Sequence, residues 1–90
     1  MNPDEYEQLP WDTRFESSNI NRIAFVKDDP EDYSADSQGT LYVEFAHGGA
    51  YRYEDVTYQA HTELLEADSV GGYLNEHIKP YYDCERISVE

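Results

Sequence analysis

An alternating pattern over residues 40–54 constrains the fold of this chain more than any other feature. Leu41, Val43 and Phe45 occupy every second position, as in a strand with one buried side. The turn sequence His47-Gly48-Gly49 follows, and a second short run of β-forming residues comes after it. The pattern predicts a β-hairpin.

The same pattern predicts the register of the hairpin. A two-residue loop would place Phe45 opposite Arg52 and would mix apolar and charged side chains on one side. A three-residue loop places Phe45 opposite Tyr51 and Val43 opposite Tyr53, which makes one continuous apolar side. We therefore expect an odd-length loop and interpret both tyrosines as core residues.

Two helices are predicted after the hairpin. Residues 58–67 have helical periodicity, and Ser69 is a suitable N-cap for a second helix that ends at Pro80. The apolar stripe of that helix comprises Val70, Tyr73, Leu74 and Ile78. Gly71 and Gly72 each cost about 1 kcal/mol relative to alanine in a helix, so we expect close backbone packing in the first turn.

The order of elements indicates an α+β fold. Residues 19–26 predict a strand before the hairpin, and the acidic stretch 28–39 predicts a loop. Strands followed by helices, without βαβ alternation, imply a three-stranded antiparallel sheet followed by two helices packed on one face. Residues 86–89 are a candidate for an additional edge strand.

We divide the chain into three regions: an acidic N-terminal arm (1–16), a single domain (17–82) and a C-terminal tail (83–90). Within the arm, Trp11 and Phe15 either hold the arm on the domain or anchor a partner.

Charge and composition exclude several classes of protein. The 90 residues include 20 acidic and 6 basic ones, with a net charge of −14. Duplex DNA binding is therefore not expected, because phosphate contacts need clustered Lys and Arg. Thirteen aromatic residues argue against disorder. No apolar run reaches the roughly 18 residues of a membrane span, and no secretory signal is recognisable. A single cysteine, Cys84, excludes an intrachain disulfide, so we expect a cytoplasmic protein, or a virion protein if the chain is viral.

The ordered set of motifs resembles the KTSC family, a short domain named for its place at the C-terminus of some lysyl-tRNA synthetases. The resemblance spans about residues 17–82 and rests on Ser18-Asn19-Ile20, Leu41 to Phe45, Gly48 or Gly49, Tyr51-Arg52-Tyr53, Val56, Leu64 to Gly71, Tyr73-Leu74-Asn75, Ile78 and Tyr81. Two departures stand out: Thr57 replaces a common proline, and the loop 27–39 is longer and far more acidic than is usual in the family. The resemblance supports the fold, and RNA binding is the activity that the synthetase association suggests.

No catalytic, metal or cofactor site is predicted. The three histidines, His47, His61 and His77, offer no close pair of ligands in the sequence. Ser69 is interpreted as a helix cap rather than a nucleophile. Cys84 lies between two acidic residues, which disfavour its thiolate. We therefore expect a protein that is not an enzyme and has no small-molecule substrate.

The leading hypothesis is a KTSC-like interaction module from a halophilic archaeon or its virus, acting by protein–protein contact as a homo-oligomer or a virion or assembly component. The alternatives are a domain that binds single-stranded RNA or tRNA, and an acidic nucleic-acid mimic that inhibits a host protein. Candidate binding residues are Trp11, Phe15, Tyr42, Arg52, Tyr81 and Tyr82. Candidate motif residues with a structural role are Tyr51, Tyr53, Ser69, Gly71 and Tyr73.

The acidic composition predicts a salt-dependent fold. The thermal midpoint of unfolding should rise between about 0.1 and 3 M KCl, because salt screens carboxylate repulsion and favours apolar burial. A loop variant should depend less on salt while keeping its core. This variant carries Asp28→Asn, Asp29→Asn, Glu31→Gln and Asp32→Asn. If the midpoint fails to rise with salt in both proteins, salt adaptation is wrong.

Overall fold

The computed structural model describes residues 1–89 and contains one five-stranded antiparallel sheet, in which each strand pairs with the next along the chain. The strands are β1 (Trp11–Asp12), β2 (Ile20–Lys27), β3 (Gln38–Phe45), β4 (Ala50–Thr57) and β5 (Cys84–Ile87). The helices are α1 (Pro3–Glu7), α2 (Tyr58–Glu66) and α3 (Val70–Tyr73), and α3 continues as a π-helical segment, Leu74–Ile78.

The α+β class is confirmed, but the expectation of three strands was wrong. The two additional strands come from the predicted arm and tail. Strand β1 is two residues long, which is too short for a period to be seen, and Trp11 pairs with Ala24. Strand β5 begins two residues before the candidate edge strand and carries Glu85 and Arg86 at its centre, so it has no apolar alternation.

The hairpin has a loop of odd length, as expected, but its register differs from the prediction by two residues. The loop closes at Phe45, whose N–H donates to the carbonyl of Gly49 at 3.1 Å. Val43 therefore lies opposite Tyr51, and Leu41 lies opposite Tyr53. Gly48 and Gly49 have φ of 100° and 86°, a conformation that favours glycine. A shift of two preserves the side on which each residue lies, so the apolar side is unchanged.

The core lies between this apolar side of the sheet and the helices. Its buried residues from the strands are Ile20, Ile23, Leu41, Val43, Tyr53 and Val56, and those from the helices are Leu64, Val70, Leu74 and Ile78. The predicted stripe of the second helix is thus confirmed as core, with Tyr73 packed half-buried against it.

Side-chain caps begin both helices that follow the hairpin. The N–H of Ala60 donates to the Thr57 hydroxyl at 3.1 Å, and the N–H of Gly72 donates to the Ser69 hydroxyl at 3.1 Å. The predicted cap at Ser69 is confirmed. Thr57 caps α2 through its hydroxyl. Proline, which is common at this position in the family that the sequence resembles, has no hydroxyl and could not form this cap.

His61 on α2 lies half-buried against β2. Its ring stacks on Phe25 with centroids 4.5 Å apart, and its Nδ1 is buried with no hydrogen-bond partner among residues 1–89. Burial lowers the pKa of His61, and the Asp12 carboxylate opposes that shift. The neutral ring is therefore the form that fits this site.

Stability is expected to fall as the pH drops through about 6.5, the ordinary value for histidine, because the unfolded chain then binds a proton that the folded chain disfavours. The free energy of unfolding, measured in denaturant between about pH 7.5 and 5.5, should fall in the wild type and in His47→Gln, a control in the exposed turn. His61→Phe should remove much of this fall. An undiminished fall in that variant would contradict the assignment.

Candidate functional site

The two sides of the sheet have different environments. We call the side packed on α2 and α3 the helix side. The opposite side, here the arm side, carries Arg22, Tyr42, Glu44 and Arg52, which the strand register places on one face. The N-terminal arm lies over part of the arm side.

An aromatic and charged cluster fixes the arm. The Tyr6 hydroxyl donates to Glu44, and Arg22 binds Glu44 at 3.0 Å and Glu7 at 2.9 Å. The Arg22 guanidinium lies 4.3 Å from the centroid of the Trp11 ring. Burial, reinforced by Glu44, raises the pKa of Tyr6 to about 12, so the phenol stays a donor. This cluster holds the arm on the protein's own sheet.

The structure separates the six candidate binding residues. Trp11 is half-buried in the arm cluster, and Phe15 and Tyr82 pack against the core. Tyr42 and Arg52 are opposite each other on the arm side. Tyr81 is 73 % exposed after the π-helical segment.

The charge of Arg52 is already paired. Its guanidinium lies 2.8 Å from the Glu85 carboxylate and 3.9 Å from that of Glu54. Any anionic ligand at Tyr42 and Arg52 would have to compete with these two carboxylates.

Two adjoining hollows lie on the helix side, where the β3–β4 turn meets the end of the second helix. The first, of about 430 Å³, is lined by Phe45, Gly48, Tyr51, Tyr53, Lys79 and Cys84. The second, of about 280 Å³, is lined by Asn19, Ile20, Phe45, His47, Gly71, Leu74, Asn75 and Lys79. Phe45 and Lys79 line both hollows, and we call the pair of hollows the Phe45 groove.

Aromatic rings and cations meet in the Phe45 groove. The rings of Phe45 and Tyr51 pack edge to face with centroids 5.7 Å apart. Lys79 Nζ lies 5.4 Å from the Phe45 centroid, and the Arg86 guanidinium lies beside Gly49 and Tyr51. Tyr53 is 2 % exposed, and burial raises its pKa to about 12, so its hydroxyl remains protonated.

The distribution of basic residues distinguishes this groove from the rest of the surface. Arg14, Arg22 and Arg52 form ion pairs with carboxylates. Lys27 Nζ lies 3.1 Å from the centroid of the Tyr33 ring. Lys79 and Arg86 form no ion pair with any of residues 1–89. Lys79 lines both hollows, and Arg86 lies next to Tyr51, outside the lining of either hollow.

The remaining motif residues shape the second helix. The Tyr73 hydroxyl donates to Glu63 at 2.8 Å and links α3 to α2. The expectation of close packing at Gly71 was wrong, because a Cβ there would meet no atom nearer than 3.9 Å. Gly72 is the tight position, with a Cβ 3.0 Å from the Ser69 hydroxyl. Gly71 instead lines the second hollow.

Among residues 1–89, no group of three or more His, Cys, Asp or Glu side chains is arranged to hold a metal ion. None of the helices in this part of the chain is both long and apolar enough to span a membrane.

Comparison with known proteins identifies the fold family. The KTSC domain matches residues 16–82, which is most of the chain and includes both hollows except for Cys84. The chain belongs to the KTSC domain family. An uncharacterised protein of Stutzerimonas stutzeri (strain A1501) is 39 % identical over 67 residues, covering 74 % of this chain and 82 % of that protein.

A solved KTSC structure has the same architecture. The crystal structure of a KTSC domain protein from Yersinia pestis superposes with a TM-score of 0.68 at 27 % identity, covering 81 % of this chain and 90 % of that one. The KTSC match begins at residue 16, so α1 and β1 of the arm precede it.

Several groove residues were not singled out from the sequence. No sequence signal sets Lys79 and Arg86 apart from Arg22 and Arg52, and only the fold shows that the latter two are paired with carboxylates. Asn19 and Asn75 lie 56 positions apart and carry no motif of their own. The family resemblance included both asparagines, and it was the one signal that pointed to them.

The arm cluster generates a prediction about local stability. Tyr6→Phe removes the hydrogen bond to Glu44 and is expected to lower the free energy of unfolding by about 1–2 kcal/mol. Amide exchange in residues 3–12 should accelerate more than exchange in β3. Tyr33→Phe is the matched control, because Tyr33 is 70 % exposed. Equal exchange in the two variants would mean that the cluster does not hold the arm.

Proposed function

We propose that this KTSC domain is a non-catalytic module that binds single-stranded RNA in the Phe45 groove. The observation that carries the proposal is the position of Lys79 and Arg86 beside Phe45 and Tyr51. Both lack an ion pair among residues 1–89, and Lys27, the third such basic residue, lies instead on the Tyr33 ring. Aromatic rings that stack on bases, together with cations that contact phosphates, are the common features of single-strand binding sites.

The arm side is the less suitable surface for RNA. The carboxylates of Glu44, Glu54 and Glu85 lie there, and each approaches an arginine. An RNA phosphate would have to displace a carboxylate from Arg22 or Arg52. On the helix side, Lys79 and Arg86 can accept a phosphate without such an exchange.

The groove also has hydrogen-bonding groups that suit base edges. Asn19, Asn75 and His47 line the second hollow, and Asn and His side chains can both donate and accept hydrogen bonds. The rings of Phe45 and Tyr51 supply stacking surface in the first hollow. The same module therefore offers stacking, base-edge contacts and phosphate contacts within one groove.

Fluorescence anisotropy with a labelled single-stranded oligoribonucleotide tests this function at about 50 mM salt, where electrostatic binding is strongest. Lys79→Gln and Arg86→Gln should each weaken binding about tenfold, the effect of losing one charge-assisted contact. Arg14→Gln is the charge-matched control, since Arg14 is paired with Asp12 in the arm. Arg52→Gln tests the arm side directly.

Two results would contradict the proposal. Absence of binding at about 50 mM salt would remove RNA as the ligand. A loss confined to Arg52→Gln or Tyr42→Ala, with Lys79→Gln unaffected, would move the site to the arm side.

Protein–protein contact is the second candidate, and the exposure of Tyr81 favours it. Trp11 and Phe15 give it less support, since both pack on the domain itself. Cross-linking in a native extract, followed by size exclusion, tests it with Tyr81→Ser. A partner retained by the wild type and lost by this variant would support the protein-contact function.

A further inference from the structure

The two hollows of the Phe45 groove differ in chemistry and share one wall. Half of the residues that line the first hollow are aromatic, namely Phe45, Tyr51 and Tyr53. The second is more polar, with the side chains of Asn19 and Asn75 in its lining. Phe45 and Lys79 form the part common to both, so a ligand that fills both hollows must cross the groove beside the Lys79 ammonium.

We propose that the Phe45 groove is a two-nucleotide site for a free end of a single strand, with one base in each hollow and the linking phosphate on Lys79. This inference rests on the proposed RNA-binding function and specifies its ligand. Arg86 lies next to Tyr51, one of the residues that line the first hollow, and we assign it to the terminal phosphate. The first hollow, of about 430 Å³, lies within the size range of small-ligand pockets, about 300–1,000 Å³, and the second, of about 280 Å³, lies just below it.

The number of available cations limits the length of the ligand. Lys79 in the groove and Arg86 next to Tyr51 have no ion pair among residues 1–89, and each can neutralise one phosphate group. The chain as a whole has a net charge of −14. Additional phosphates of a longer strand would meet this negative field without a compensating cation, so they add repulsion rather than affinity.

Gly71 is one of the residues that line the second hollow. A Cβ at this position would meet Asn19 Nδ2 and Ser17 Oγ at 3.9 Å, an ordinary contact distance. An alanine therefore fits, whereas a leucine would extend into the space that we assign to the second base. This position offers a pair of variants that separates occupancy of the second hollow from loss of the fold.

A length series measured by calorimetry tests the inference. The probes are uridine monophosphate, the uridine dinucleotide with and without a terminal phosphate at either end, and the uridine octanucleotide. The phosphorylated dinucleotide should bind at least about tenfold tighter than the mononucleotide, since it adds a stacked or hydrogen-bonded base and a phosphate. The octanucleotide should bind within about threefold of the dinucleotide.

Variants assign each contact. Removing the terminal phosphate should weaken binding about tenfold in the wild type and have little effect in Arg86→Gln, because the lost contact is already absent there. Gly71→Leu should reduce dinucleotide affinity to the mononucleotide level, and Gly71→Ala should retain it. Thermal melts of both variants show whether the fold is intact.

The outcomes distinguish failure of the two-nucleotide site from failure of RNA binding. Affinity that rises steadily from two to eight nucleotides would overturn the two-nucleotide site while leaving RNA binding in place. Failure of every probe to bind would overturn both. The last probe is the deoxyribose dinucleotide. If it binds as tightly as the ribose dinucleotide, the groove recognises the end of any single strand, RNA or DNA.

Discussion

The antiparallel pairing of β3 with β4 is the constraint on which the rest of the molecule depends. It places Leu41 and Val43 beside Tyr53 on one side of the sheet, and this side is covered by the helices. The same alternation places Tyr42 and Arg52 on the other side, which is the arm side. Because the turn closes at Phe45 and Gly49, the Phe45 ring lies at the rim of the core, where it forms the shared wall of the two hollows.

Periodicity was sufficient to predict the elements that bury apolar surface. The hairpin, the two helices after it and the Ser69 cap are all recognisable from spacing and residue type. The predicted hairpin register differed from the observed one by two residues. The alternation of apolar residues determines which side of the sheet is buried, but it does not determine where a glycine-rich turn closes. Helix α1 was missed although Asn2-Pro3-Asp4-Glu5 carries a capping signal: the Glu5 N–H donates to Asn2 Oδ1 at 2.8 Å.

The candidate site was harder to predict than the fold, because it depends on which charges neutralise each other. Sequence alone shows six basic residues among twenty acidic ones. Arg22 and Arg52 look as available as Lys79 and Arg86 until the fold brings Glu44 to one and Glu85 to the other. Long-range ion pairs of this kind have no local signal in the sequence, so only the fold shows that Arg22 and Arg52 are already paired.

The central claim is that the ligand-binding surface lies on the helix side of the sheet. Two-dimensional NMR of the labelled protein with a short phosphorylated RNA tests this claim residue by residue. The account predicts that amide shifts cluster at Gly48, Gly49, Gly71 and Lys79, with little change at Tyr42 and Arg52. Shifts concentrated at Tyr42, Arg52 and the arm residues would contradict it and would place the binding surface on the opposite side.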